Sequence, residues 1–157
     1  MAWLEGSVLG HAMRNSGVWT YGVVNLFHIL GVSALFGSVL MLDLRLMGAW
    51  RHVPLVVVTS TTVPIARAGF VLAAVSGIGL LATKATEYVG NPFLLIKFPA
   101  IAIALINVAI IGRLPGWRAR AMRDAAPHER RQLAVAGAVS LLSWLTAIAA
   151  GRMIGYW

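Results

Sequence analysis

The stretch from Val18 to Met41, VWTYGVVNLFHILGVSALFGSVLM, contains no Asp, Glu, Lys or Arg. About 20 apolar residues in a helix cross the hydrocarbon core of a bilayer. Further stretches reach that length, so spans are expected at about 17–41, 64–83, 92–112 and 130–151. Inside a bilayer every backbone amide must find its partner within the chain, which restricts such runs to helices. The expected fold class is therefore all-α: an integral membrane four-helix bundle forming a single domain. Composition agrees, because 11% of the residues are charged, against about 25% in soluble domains.

Local signals mark the helix ends. Asn15 and Ser16 can cap the first span, and Pro64 suits the first turn of the second. Asn91–Pro92 starts the third span, and Pro127 with Glu129 starts the fourth. Upstream, Trp3, Leu4, Val8 and Ala12 recur at helical spacing, predicting a short N-terminal interfacial helix on the membrane surface. Glu5 comes early and Arg14 late, so no cleavable signal peptide is expected and the first span serves as its own insertion signal.

The net charge of +8 raises the question of nucleic acid, but the location of the charge answers it. Six of the 13 basic residues, Arg113, Arg118, Arg120, Arg123, Arg130 and Arg131, fall between two apolar spans. A basic loop in that place follows the positive-inside rule and suits anionic lipid headgroups, so no nucleic-acid partner is expected. With Arg45 and Arg51 on the same side, and Arg14, Lys84, Lys97 and Arg152 on the other, the expected topology is N-out and C-out in a bacterial inner membrane. The absence of cysteine excludes disulfides, iron–sulfur clusters and thiolate metal sites.

His28 is the one ionisable group at mid-membrane depth. It lies about 16 Å from the outer end of its span at roughly 1.5 Å per residue. Such groups are costly and often mark cofactor, proton or ion sites. Tyr21, Asn25 and His28 share a helix face by their spacing. Three readings of His28 stay open: a structural histidine bonded across helices to Asn107 or Ser76, a haem ligand, or a proton relay or other metal ligand. If haem binds, its second axial ligand is missing from the other spans. The iron is then five-coordinate, or a second copy or partner supplies the ligand.

Lys97 sits in the outer turns of the third span and either snorkels to headgroups or pairs with a haem propionate or quinone oxygen. With Lys84 and Arg152 it forms an outer anion-binding rim or three separate anchors. Asp43 and Arg67 are expected to form an interhelical ion pair at the inner end. Gly69, Ala73 and Gly77 recur every four residues, and Gly31, Ala34 and Ser38 form a weaker stripe. Small residues at that spacing let another backbone approach, within the chain or across a homodimer face. No phosphate loop, HExxH, paired intramembrane carboxylates or nucleophile motif occurs, and no internal repeat supports an inverted-repeat transporter.

NLFHILGVSALFGSVLMLDLRLMG resembles the first span of small bacterial four-helix membrane proteins with a mid-helix histidine. That set includes HemJ-type protoporphyrinogen oxidases and copper-resistance-D-like membrane domains. YVGNPFLLIKFPAIAIALIN and AAGRMIGYW resemble segments of an uncharacterised bacterial integral membrane family of about this size. The HemJ resemblance implies haem held by a first-span histidine with a third-span lysine, matched here by His28 and Lys97. The tryptophan-rich and leucine-proline-arginine pattern of that family is absent.

The function expected from these features is a small inner-membrane redox protein binding haem b through His28 and linked to quinone. Asn25 and Tyr21 would line the pocket, and Lys97 and Arg152 would anchor an acidic or carbonyl group. The alternatives are a non-catalytic subunit or assembly factor of a larger membrane complex, and a small transporter or proton channel.

Overall fold

A computed structural model describes residues 6–7, 17–83 and 85–156. The interfacial helix expected over the first 14 residues lies outside them, apart from a turn at Gly6 and Ser7. The described chain is helical: α1 Gly17–Met47, α2 Leu55–Thr83, α3 Pro92–Ile111, the single turn α4 Pro115–Arg118, and α5 Pro127–Met153, followed by a 3-10 turn at Ile154–Tyr156. Four of these helices are long and apolar enough to cross a membrane. Large apolar side chains such as Leu26, Val75, Ile106 and Leu142 point outward and are more than half exposed. A water-soluble domain does not expose apolar surface on this scale. The chain is a multi-pass membrane protein.

The helices outrun the apolar stretches that predict them. α1 continues to Met47, and α2 begins at Leu55, so Pro64 lies inside α2. Proline removes one helical hydrogen bond, a defect that membrane helices tolerate where hydroxyl side chains are near. Here Thr59, Ser60 and Thr62 each donate a hydroxyl to a carbonyl about one turn back. Pro92 and Pro127 open α3 and α5, as their sequence context predicts.

Packing resolves two compact units. One takes α1 as far as Phe36 together with Ile65–Asn91, and the other takes Gly37–Pro64 and the chain from Pro92 onward. In the first unit α1 and α2 cross through glycine. A Cβ on Gly31 would lie 2.6 Å from the Ala73 nitrogen, and one on Gly69 would lie 2.5 Å from the Leu35 nitrogen. The small-residue stripes therefore serve contact within the chain.

In the second unit α3 packs along α5. A core of Leu46, Ile111, Leu133 and Ala136 is flanked by Leu42, Leu55, Leu114 and Trp117. The Asn107 amide donates to the Ala136 carbonyl at 2.8 Å. Gly137 admits α1, since a Cβ there would be 3.1 Å from both the Asp43 carbonyl oxygen and the Leu46 Cβ.

Candidate functional site

The close crossing of α1 and α2 sets the surroundings of His28. Because Gly31 meets Ala73 backbone to backbone, the residue one turn earlier on α1 reaches the next turn of α2. His28 Nδ1 lies 2.9 Å from the Ala73 carbonyl and 3.2 Å from Ser76 Oγ. A carbonyl can only accept, so Nδ1 carries the proton and Nε2 carries the lone pair. Ser76 in turn donates its hydroxyl to carbonyls one turn back, Leu72 and Ala73, which leaves its oxygen facing the imidazole as an acceptor. Gly77 makes room for the ring: a Cβ there would lie 3.0 Å from Cε1 and 3.3 Å from Nδ1. His28 is half-buried, as is Asn25 one turn before it, and Tyr21 is exposed on the same face.

Of the partners open to His28, the structure shows Ser76. Asn107 belongs to the second unit, where it holds the Ala136 carbonyl. The serine was legible because residues 69, 73 and 77 mark the contact face of α2 and Ser76 adjoins it. The main-chain acceptor at Ala73 leaves no trace in side-chain chemistry.

The other expected groups lie in the second unit. Lys97 is half-buried and runs along α5, with its Nζ 3.5 Å from where a Cβ on Gly151 would sit. Arg152 stacks on Tyr156 at 4.6 Å and bonds the Tyr156 hydroxyl, so its guanidinium is turned along its own helix. Lys84, the third member of the expected rim, lies outside the described residues.

Asp43 and Arg67, expected as an interhelical ion pair, fall in different units. Asp43 is buried on α1 and bonds the Ser140 hydroxyl within the second unit, whereas Arg67 is an exposed side chain of α2 in the first. Asp43 Oδ2 is buried without a partner.

Among the described residues no three His, Asp or Glu side chains converge as a metal cage would require. His28 presents an imidazole whose Nδ1 proton is held by the Ala73 carbonyl, the kind of outer hydrogen bond that orients metal-ligating histidines.

Helices of this length carrying one polar site in an apolar face define a small multi-pass helical membrane protein. The whole chain, residues 1–157, matches the family described as Family of unknown function (DUF6644), and the chain belongs to that family. No curated protein and no solved structure matches it.

Proposed function

We propose that this protein is a small membrane redox protein that holds b-type haem through Nε2 of His28. The observation that carries the reading is the hydrogen bond from His28 Nδ1 to the Ala73 carbonyl. Metal-ligating histidines almost always donate their second ring N–H to a carbonyl or carboxylate, which fixes the tautomer and raises the basicity of the ligating nitrogen. Ser76 shares that proton and holds the ring plane, while Gly77 leaves space for the ring. Tyr21 and Asn25 offer hydrogen-bonding groups along the same helix face. Haem bound there would supply one-electron chemistry within the bilayer, with His28 as its protein ligand. His28, Ala73, Ser76 and Gly77 lie in the first unit, and Lys97 and Arg152 in the second.

The test is an absorption spectrum of protein purified in mild detergent after expression with ample haem, oxidised and dithionite-reduced. A Soret band with a reduced α-band that disappears in His28→Ala is expected. A colourless protein, or a Soret band unchanged in His28→Ala, would overturn the proposal.

A further inference from the structure

The loops that follow α1 and α3, with the helix turns beside them, bring their arginines together. Arg45 comes from the last turn of α1 and Arg51 from the loop after it, and Arg120, Arg123 and Arg130 come from the second loop and from the start of α5. These five guanidiniums line one cleft in the second unit, with Asp124 as the one carboxylate among the lining residues. Leu46 and Leu133, which also line it, belong to the apolar core.

The guanidiniums are held rather than loose. Arg45 donates to the Val53 carbonyl at 2.9 Å, Arg130 to the Ala125 carbonyl at 2.9 Å, and Arg120 to the Trp117 carbonyl at 2.6 Å while stacking on the Trp117 ring at 4.4 Å. Arg51 lies over Gly48, where a Cβ would come within 2.7 Å of its guanidinium. Backbone carbonyls orient these side chains without neutralising them. Arg123 alone takes a carboxylate in two-pronged fashion, from Glu129 at 2.7 and 2.8 Å. Each guanidinium has five N–H donors, and the bonds described occupy at most three of them.

Preorganised forks of this kind match the oxygens of a phosphate. The cleft also sits where α1, α3 and their following loops meet, at the ends of the spans, and its lining joins buried leucines to exposed arginines. An amphiphile with an anionic head fits both parts. We propose that this cleft is a phosphate-binding site whose ligand is the headgroup of an acidic phospholipid. The inference is independent of the reading of His28.

The experiment measures the thermal unfolding midpoint of delipidated full-length protein in nonionic detergent. Phosphatidylglycerol, phosphatidylcholine and pyrophosphate are titrated separately. A ligand that binds the folded state raises the midpoint in proportion to its occupancy. Phosphatidylglycerol is expected to raise it and phosphatidylcholine to leave it unchanged. The double variant Arg51→Gln with Arg130→Gln is expected to weaken the phosphatidylglycerol response at least about tenfold in apparent Kd, the scale of losing charge-assisted hydrogen bonds. Both residues are exposed, so the core stays closed. Arg113→Gln with Arg118→Gln removes the same charge from positions outside the cleft and is expected to change nothing. A response to pyrophosphate but not to phosphatidylglycerol would keep the phosphate site and overturn the lipid as its source. Equal losses in the two double variants, or no response to either phosphate, would overturn the site.

Discussion

A methyl group on residue 77 would sit 3.0 Å from Cε1 of His28, closer than ordinary van der Waals contact. Gly77→Ala should therefore swing the imidazole away from the Ala73 carbonyl. Haem affinity, read by titration of the apoprotein, is expected to fall about 10- to 100-fold, the usual range for losing an outer-shell partner. Ser76→Ala leaves the Ala73 carbonyl in place and should cost less than Gly77→Ala in the same titration. Asp43 tests a different point. Its carboxyl is buried, one oxygen has no partner, and the Ser140 hydroxyl is what serves it. Ser140→Ala should lower stability by about 1–3 kcal/mol, the cost of stripping a buried polar group of its hydrogen bond, as read by denaturant unfolding in detergent. At this scale His28 was legible because a single ionisable residue in an apolar run stands out. The Asp43–Ser140 contact was not, because serine is common in apolar helices and carries no charge to pair by eye.

The glycines of α1 divide by what surrounds them. A methyl group added at Gly22 or Gly37 would meet nothing within 4 Å, whereas one at Gly31 would meet the α2 backbone. Gly31→Ala and Gly69→Ala should each destabilise the helix pair by about 1–3 kcal/mol through overpacking. Gly22→Ala and Gly37→Ala should be neutral or stabilise by up to about 0.5–1 kcal/mol, since alanine is the better helix former. Unfolding in graded SDS separates the two sets, and equal effects would remove the crossing as the basis of the site. The stripes at residues 31, 34 and 38 and at 69, 73 and 77 were legible from spacing alone. The start of α2 was not: Pro64 reads as a first-turn residue, yet the helix runs through it from Leu55. Apolar residues and hydroxyls that bond back to the backbone lie on the N-terminal side of the proline, and together they sustain helix there.

For the molecule as a whole, the distribution of arginine predicts the side of the membrane on which each loop lies. The chain has no cysteine, so any introduced cysteine reports alone. Arg118→Cys is expected to react with a membrane-impermeant maleimide only after permeabilisation, and Val89→Cys in intact cells. The reverse pattern would invert the topology. Four spans and their basic loops were legible because hydropathy and charge are summed over many residues. The cleft was not, because its arginines come from two regions distant in sequence, and several are aimed by main-chain carbonyls that composition does not record. The crossing of Gly31 and Gly69 has a bearing beyond stability. A bilayer supplies little hydrophobic drive to choose one alignment of two apolar helices over another. Sliding α1 by one residue would bring Leu30 or Val32, and sliding α2 would bring Ala68 or Phe70, to a place that has no room for a side chain. The crossing thus works as an index mark that selects a single register, and a graft of this helix pair into another membrane scaffold would carry the imidazole-to-carbonyl alignment with it.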